Sequence, residues 1–176
     1  MKEGPSIRVN RPAGVYVLAA LGANLGDPIE QLRGAIGALR AGGLDIDRIS
    51  SAYLTAPVGF EKQPDFHNLV LSGRTDLTVF DLHAVGARIE REMGRERTVA
   101  NGPRVIDIDL LSYGDLVYQS PDLTIPHPRM HLRSFVLWPL AEIAREWRHP
   151  ATGASSLDMI RDIPTPSPVR PVNSEW

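Results

Sequence analysis

The chain has 176 residues, of which 43% are hydrophobic, and its formal net charge at pH 7 is -2. This length suits one well-filled core better than two, and the near-balanced charge argues against a broad basic surface for nucleic acids or anionic membranes. The absence of cysteine excludes disulfides and thiolate metal sites. No apolar run approaches the roughly 20 residues of a membrane span, and residues 1–11 lack the apolar stretch of a secretory signal. We therefore expect a cytoplasmic protein whose partners are small molecules rather than nucleic acids or membranes.

The hydrophobic pattern of the first half of the chain predicts alternating strands and helices. The apolar, partly β-branched run 15–21 is typical of a buried strand. Asp27 followed by Pro28 is typical of a helix start, and Gly42 followed by Gly43 is typical of a helix end. The predicted elements are a strand over 15–21, a helix between Asp27 and Gly42, a less regular strand over 46–54 and a loop over 55–65 that is long enough to bind a ligand.

The second half continues this alternation and ends in a proline-rich segment. Thr78 is typical of a helix N-cap and Gly94 of the end of that helix. Gly114 is expected in a hairpin turn, and Pro139 is expected to interrupt and restart a helical segment. The predicted elements are strands over 68–75, 105–113 and 116–118, a helix from Thr78 to Gly94, an arginine-bearing loop over 95–103, an irregular stretch over 123–133 and a partly helical stretch over 134–144.

The order of these elements predicts the fold class. Strands and helices interleave, but the short links between strands imply antiparallel pairing. We predict an α+β fold, a single-domain three-layer α-β-α sandwich around a mainly antiparallel sheet, ferredoxin-like in topology. The predicted boundaries are a flexible N-terminal extension over 1–14, a domain over 15–162 and a proline-rich tail over 163–176. The tail offers little apolar surface to bury, so we expect it to be loosely held and dispensable for activity.

Two aspartates in the clearest predicted strand are the first candidates for chemistry. In the run VIDIDLLSY, side chains alternate between faces, so Asp107 and Asp109 share one face. Their Cα atoms should be about 6.5 to 7 Å apart, which lets both carboxylates reach one hard cation or straddle two ions. The alternative is that both are ordinary polar residues on a solvated strand face. Adjacent like charges on an apolar strand favour a compensating cation, and magnesium is the simplest candidate.

Arginines close to this strand could serve a phosphorylated ligand. The run NGPR places Arg104 after a predicted turn, and its planar guanidinium suits phosphate oxygens. A plain salt bridge between Arg104 and the aspartates is an equal alternative. Neither Lys2 nor Lys62 lies in a P-loop motif, so an ATP-dependent reaction would need a different phosphate-binding site. The other arginines near the pair in sequence are Arg95, Arg97, Arg129 and Arg133.

The run NGPRVIDIDLL resembles the signature of the 6-hydroxymethyl-7,8-dihydropterin pyrophosphokinase family. Three further segments agree with that family in the same order: LGANLGDP, SSAYLTAPVGFEKQPDFHNLV and LTIPHPRMHLRSFVLWPLAEI. The resemblance covers residues 15–160, and ordered motifs are far more specific than a lone Asp-x-Asp. It implies an enzyme of folate biosynthesis that transfers pyrophosphate from ATP to the hydroxymethyl group of the pterin, giving the pterin diphosphate and AMP.

The resemblance also implies roles for the residues near the phosphates. It places two magnesium ions on Asp107 and Asp109, and it places Arg95 and Arg97 on a catalytic loop that closes over the reaction. The residues that it implies for ATP binding are Arg104, His127, Arg133 and Glu90.

For the acceptor, the resemblance implies two aromatic faces, Phe66 and Phe135, that sandwich a flat pterin. Asn68 would hydrogen-bond the edge of the pterin. The remaining residues implied around the pterin are Thr55, Val58 and Asn24. The enzyme is expected to act as a monomer.

Two other functions stay open on the residues alone. One is a different magnesium-dependent nucleotidyl- or glycosyltransferase that uses Asp-x-Asp. The other is a non-catalytic domain that binds a small molecule. The acceptor residues have structural alternatives as well, because a phenylalanine more often lies in a core than under a ligand, and Asn68 could close a turn.

Overall fold

The computed structural model describes residues 14–57, 62–95, 102–164, 167–172 and 175–176. Strands and helices alternate along the chain, as the hydrophobic pattern predicts. The elements are β1 (Val15–Ala23), α1 (Pro28–Ala41), β2 (Asp45–Ile49), β3 (Ala52–Thr55), β4 (Phe66–Thr75), α2 (Val79–Glu92), β5 (Asp107–Tyr113), β6 (Tyr118–Gln119), β7 (Thr124–Ile125), a 3-10 turn (Met130–Leu132), α3 (Ser134–Ile143), α4 (Ser156–Arg161) and β8 (Val169–Val172).

Helices α1 and α2 begin at the side-chain caps that the sequence predicts. Before α1, the Asp27 carboxylate accepts a hydrogen bond from the Glu30 backbone N–H (3.2 Å), and Pro28 is the first helical residue. Before α2, the Thr78 hydroxyl oxygen accepts one from the Asp81 N–H (3.2 Å). These bonds satisfy N–H groups that have no partner within the first turn of a helix. Both predicted starts are confirmed.

Helix α3 differs from the prediction because Pro139 lies inside it without interrupting it. The helix runs from Ser134 to Ile143. Val136 and Leu137 are at most 1% exposed, and their burial stabilises the helix more than the hydrogen bond missing at Pro139 weakens it. The predicted restart is therefore wrong.

The strands pair as a ferredoxin-like sheet. The spatial order is β5-β1-β4-β3-β8, with β2 also paired to β4, and all these pairs are antiparallel. The chain order β1-α1-β2-β4-α2-β5 together with the spatial order β5-β1-β4-β2 is the split βαβ arrangement of that fold. The α+β class and the antiparallel sheet are therefore confirmed.

Two details of strand pairing differ from the prediction. The single strand predicted over 46–54 is divided at Ser50, whose hydroxyl oxygen accepts a hydrogen bond from the Val70 N–H (3.0 Å). A side chain thus replaces a backbone partner and separates β2 from β3. The strand expected after the turn at Gly114 does not form a hairpin with β5, since β6 pairs with β7 in a separate two-stranded sheet.

Helices cover both faces of the main sheet, because successive residues of β1 point to opposite sides. Val17, Ala19 and Leu21 belong to a buried cluster with side chains of α1 and α2. Leu18 belongs to a second cluster with side chains of α3 and α4. This gives the predicted three layers. Within the described ranges, every helix is too short or too polar to cross a bilayer.

The segment beyond Asp162 differs from the loosely held tail that its composition predicts. Its residues Val169–Val172 form β8 and pair antiparallel with β3 at the edge of the sheet. The Trp176 indole N–H also donates a hydrogen bond to the Ser50 carbonyl (2.8 Å). This pairing joins residues that are distant in sequence, so the local composition carries no signal for it.

Candidate active site

The acidic pair on β5 faces an open cavity of about 410 Å³. Asp107 and Asp109 both line the cavity, whereas Ile106 and Ile108 belong to the cluster beneath α1 and α2. The shared face predicted for the two aspartates is therefore confirmed. The other predicted site residues that line the same cavity are Thr55, Phe66, Asn68, Arg104, Arg133 and Phe135.

Three guanidinium groups compensate the charge of the two aspartates. The Asp107 carboxylate lies 2.6 Å from a nitrogen of Arg95 and 2.7 Å from one of Arg104. The Asp109 carboxylate lies 2.8 Å from a nitrogen of Arg133. The three arginine side chains are only 14 to 19% exposed, so solvent and salt screen these pairs weakly. The salt bridge that the sequence left open for Arg104 is present, and the same fork of donors is suited to phosphate oxygens.

A third carboxylate, Glu90 on α2, contacts this group from outside the cavity lining. It is 6% exposed, accepts a hydrogen bond from the Ile108 N–H (2.7 Å) and forms a close ion pair with Arg95. Burial raises the pKa of the Glu90 carboxyl, while the Ile108 hydrogen bond and the charge of Arg95 oppose that rise. Since Ile108 lies between the two aspartates in β5, Glu90 holds the backbone segment that carries both of them.

His127 approaches the acidic pair from the segment that follows β7. Its backbone N–H donates to the Leu111 carbonyl (2.9 Å), which aligns this segment with β5. Its Nδ1 accepts a hydrogen bond from the backbone N–H of Arg129 (3.2 Å). In the neutral ring the proton therefore resides on Nε2. Nε2 lies 3.7 Å from the nearer carboxylate oxygen of Asp109. The ring therefore presents an N–H toward the acidic pair.

The titration of His127 should make the protein less stable in acid. Burial lowers the pKa of His127 from its ordinary value of 6.5, against the opposing influence of Asp109. The folded state then binds this proton less readily than the unfolded state, so stability is lost as the pH falls from 6.5 through the lowered pKa. We expect His127→Gln to lose less stability than the parent between about pH 7 and about pH 5, as followed by chemical denaturation without nucleotide or magnesium.

Two other histidines leave a residual pH dependence in that variant. Burial also lowers the pKa of His67 and of His149. The slope of stability against pH should therefore be reduced in His127→Gln but not removed. An identical slope in the two proteins would show that His127 titrates alike in the folded and unfolded chains.

Phe66 and Phe135 form the aromatic side of the cavity, and each is covered by an arginine. The Arg104 guanidinium carbon lies 5.8 Å from the centroid of the Phe66 ring. The Arg133 guanidinium carbon lies 5.5 Å from the centroid of the Phe135 ring. Both contacts are within the range of a cation–π interaction. Each guanidinium thus connects one carboxylate of the acidic pair to one ring, which brings the two sides of the cavity into direct contact.

Asn68 is oriented by a buried hydrogen bond and by a glycine beside it. Its amide N–H donates to the Thr55 hydroxyl oxygen (2.8 Å). A Cβ atom built on Gly22 would lie 2.6 Å from the Asn68 amide oxygen, a distance far below van der Waals contact. We expect Gly22→Ala to displace the Asn68 side chain and to raise the KM for the acceptor by about three- to tenfold, the range that corresponds to the loss of one hydrogen bond.

Gly37→Ala is the matched control for Gly22→Ala. A Cβ atom at Gly37 meets nothing within 4 Å, and this residue lies on the exposed side of α1. Steady-state kinetics with both substrates and the midpoint of thermal unfolding should be measured for the two variants. An unchanged acceptor KM in Gly22→Ala would mean that Asn68 does not contact the acceptor.

Asn24 is placed beside the arginine of the NGPR run rather than among the described residues that line the cavity. Its amide oxygen accepts a hydrogen bond from the backbone N–H of Arg104 (2.8 Å). Its amide nitrogen donates to the Gln63 side chain (3.0 Å) and to the Pro64 carbonyl (2.9 Å). Asn24 therefore ties the end of β1 to two segments that border the site. The remaining predicted site residues, Val58 and Arg97, lie outside the described residues.

The sequence did not single out two serines that line the cavity, Ser134 and Ser167. Ser134 is 3% exposed and begins α3. Its hydroxyl oxygen accepts a hydrogen bond from the Ser167 backbone N–H (3.1 Å). Ser134 could have been noticed as the residue between Arg133 and Phe135. Ser167 has no local signal, because only the pairing of β8 with β3 brings its segment to the site.

An acidic pair ringed by guanidinium groups, in a cavity that also presents two aromatic rings, is typical of an enzyme that transfers phosphorus-containing groups to a flat acceptor. The sequence matches the 7,8-dihydro-6-hydroxymethylpterin-pyrophosphokinase (HPPK) family over residues 18–145. The chain belongs to this family.

Curated relatives agree with the family match. The 2-amino-4-hydroxy-6-hydroxymethyldihydropteridine pyrophosphokinase of Bacillus subtilis is 41% identical over 138 residues, which cover 78% of this chain and 83% of the relative. The protein of the same name from Haemophilus influenzae is 42% identical over 128 residues, which cover 72% and 80%. This chain is accordingly a pyrophosphokinase, a transferase of folate biosynthesis that acts on small molecules. That activity implies ATP as co-substrate.

Solved structures with the same fold belong to HPPK-DHPS fusions. The wild-type Plasmodium falciparum HPPK-DHPS structure matches with a TM-score of 0.68 at 14% identity and covers 85% of this chain and 45% of that chain. A structure of HPPK-DHPS in complex with substrates matches with a TM-score of 0.67 at 14% identity and covers 85% and 43%. This chain spans less than half the length of these two proteins, and at such identity the likeness shows the fold alone.

Proposed function

We propose that the described cavity is where pyrophosphate passes from ATP to the hydroxymethyl group of 6-hydroxymethyl-7,8-dihydropterin. The observation that carries the proposal is that an acidic pair and a pair of aromatic rings line one cavity. The two pairs are also joined by two arginines. A phosphate-binding side and a flat acceptor side thus lie next to each other, as transfer between two bound substrates requires.

Asp107 and Asp109 are the residues that would hold magnesium, with two ions as the expected number. Their oxygens are hard ligands of the kind that magnesium prefers, and both side chains line a cavity with room for phosphates. The described part of the chain holds no group of three or more His, Cys, Asp or Glu side chains that could cage a metal. This suits magnesium, which takes its other ligands from water and substrate phosphates. When bound, magnesium would supply positive charge to the phosphoryl oxygens.

Arginines and His127 are proposed to bind the triphosphate. Arg104 and Arg133 line the cavity and can exchange a carboxylate partner for phosphate oxygens. Arg95, held by Glu90, can act in the same way at Asp107. The Nε2–H of His127 supplies one more donor on the Asp109 side. The ion pairs hold these guanidinium groups beside the acidic pair, and donors held there would stabilise charge on a phosphoryl group.

The acceptor is proposed to lie between Phe66 and Phe135, with its polar edge on Asn68. Ring stacking and burial would supply affinity, and the amide of Asn68 would select the hydrogen-bonding edge of the pterin. The acceptor hydroxyl oxygen then bonds to the β-phosphorus of ATP and its proton is released to water. The bond from that phosphorus to the oxygen shared with the α-phosphorus breaks, and AMP leaves with this oxygen.

Product analysis tests the proposal directly. The protein is incubated with Mg-ATP and the reduced hydroxymethylpterin, and the nucleotide products are separated by chromatography. We expect equal amounts of AMP and pterin diphosphate. Release of inorganic pyrophosphate would instead indicate a nucleotidyltransferase, and pterin binding without any AMP would indicate a binding domain.

Four further expectations remain predictions. Arg97 and backbone groups near Val58 are proposed to complete the site, as the family resemblance implies. The enzyme is proposed to act as a monomer in the cytoplasm. Sedimentation equilibrium at working enzyme concentration checks the monomer, and kinetics of Arg97→Ala check the role of Arg97.

A further inference from the structure

The C-terminal segment, of which residues 167–172 and 175–176 are described, contacts the rest of the protein at both of its described ends. At the far end, the Trp176 indole donates to the Ser50 carbonyl (2.8 Å), and its ring packs against the cluster under α1 and α2. The Glu175 carbonyl accepts hydrogen bonds from the Arg33 guanidinium (3.1 and 3.2 Å). Between the two ends, β8 runs along β3. The segment is therefore held by side chains as well as by strand pairing.

The near end of this segment reaches the cavity. Ser167 lines the cavity, and its backbone N–H donates to the hydroxyl oxygen of Ser134 (3.1 Å). Ser134 directly precedes Phe135, one of the two rings proposed to hold the acceptor. The hydrogen bond thus joins the C-terminal segment to the first turn of the helix that carries that ring.

The strand pairing reaches the acceptor side a second time. Val169 of β8 is the register partner of Thr55, the last residue of β3. Thr55 is 3% exposed, and its hydroxyl orients Asn68 (2.8 Å). β3 therefore lies between β4, which carries Phe66 and Asn68, and β8 on its outer side.

From these contacts we infer that the C-terminal segment, through Ser167 and β8, is part of the acceptor side of the site and sets the affinity for the flat heterocyclic acceptor. The inference rests on the proposed function, since that proposal identifies Phe135, Asn68 and Thr55 as acceptor residues. The residues that hold the aspartates belong to β5, α2 and the segments around Arg104 and Arg133, and none of their described ion pairs involves the C-terminal segment. Changes in the segment should therefore weaken acceptor binding and leave ATP binding unchanged.

The test removes the Ser167–Ser134 hydrogen bond from either side in the whole chain of 176 residues. Ser134→Ala removes the accepting hydroxyl, and Ser167→Pro removes the donating N–H. We expect each variant to raise the KM for the pterin by about three- to tenfold, the range for one lost hydrogen bond. The KM for ATP and the identity of the product, AMP, should not change. Because both substitutions break one bond, the double variant should show little further increase.

Arg170→Ala is the matched control on the same strand. Arg170 is exposed, and the substitution leaves the backbone pairing of β8 intact, so both KM values should equal those of the parent. Should Ser167→Pro fail to fold, Ser134→Ala alone decides, with pterin affinity measured by fluorescence titration beside a nonhydrolysable ATP analogue.

The possible failures are distinguishable. Suppose that the parent enzyme forms AMP and that Ser134→Ala has the pterin KM of the parent. That result overturns the inference and leaves the proposed function standing. Equal rises in the KM for pterin and for ATP also overturn it, because they indicate a general loss of structure. A parent protein that forms no AMP from the pterin overturns the proposed function itself, and the inference falls with it.

Discussion

Asp107→Ala and Asp109→Ala should each lower kcat by at least about 10³-fold while the protein remains folded. Each substitution removes the carboxylate oxygens that would hold magnesium. It also removes the ion-pair partner of at least one guanidinium. The arginine that loses its carboxylate has only 14 to 19% of its side chain exposed, which lowers stability, while relief of the repulsion between the two acidic side chains offsets part of that loss. Stability should therefore fall by about 1 to 3 kcal/mol, and the variants should remain folded.

Steady-state rates of AMP formation and circular dichroism melts measure the two effects separately. Asp115→Ala is a suitable control, because Asp115 follows β5 in the turn after Tyr113 and does not line the cavity. It should retain the activity of the parent. If Asp107→Ala or Asp109→Ala is folded and has the kcat of the parent, the proposed role of the acidic pair is wrong.

Glu90→Ala should lower the free energy of unfolding by about 3 kcal/mol, the range for removing one partner of a buried ion pair. The substitution leaves the Ile108 N–H without its acceptor, which by itself costs about 1 to 3 kcal/mol. It also leaves Arg95, whose side chain is 14% exposed, with Asp107 as its remaining described carboxylate partner. Since the Ile108 segment carries both aspartates, kcat should fall together with stability.

Glu90→Gln separates the charge of this residue from its hydrogen bond. The amide oxygen can still accept from the Ile108 N–H, and burial already disfavours the ionised carboxyl, so the stability loss should be smaller than in Glu90→Ala. Glu92→Ala is the control on the same helix. The Glu92 side chain is 65% exposed, and its ion pair with Arg88 is long, with 3.9 Å between Oε1 and Nε. It should change stability by less than about 0.5 kcal/mol. Equal denaturant midpoints for Glu90→Ala and Glu92→Ala would contradict the anchoring role.

Features that depend on close sequence neighbours could be predicted. The caps at Asp27 and Thr78 involve residues three positions apart, and the shared face of Asp107 and Asp109 follows from the two-residue period of a strand. The pair of Arg104 with Asp107 is equally local, so the sequence could raise it as an alternative but could not choose between carboxylate and phosphate. The motifs of the family resemblance supplied the rest of the candidate residues.

Features that join distant segments could not be predicted in the same way. The hydrogen bond from Ile108 to Glu90 and the ion pair of Arg133 with Asp109 depend on how α2 and α3 pack around β5. The position of Ser167 depends on the pairing of β8 with β3, and the prolines of that segment argued against any strand. Proline is tolerated there because β8 is an outer strand, where one face of the backbone needs no hydrogen-bond partner.

The same outer position of β8 bears on the solubility of the enzyme. An uncovered strand edge invites pairing with other chains, and such pairing leads to aggregation. Pro171 lacks the N–H that an incoming strand would need, and the exposed charge of Arg170 opposes close approach. Preparations in which β8 has detached would present the bare edge of β3 instead, so loss of this strand should show itself as precipitation on storage as well as in the kinetics.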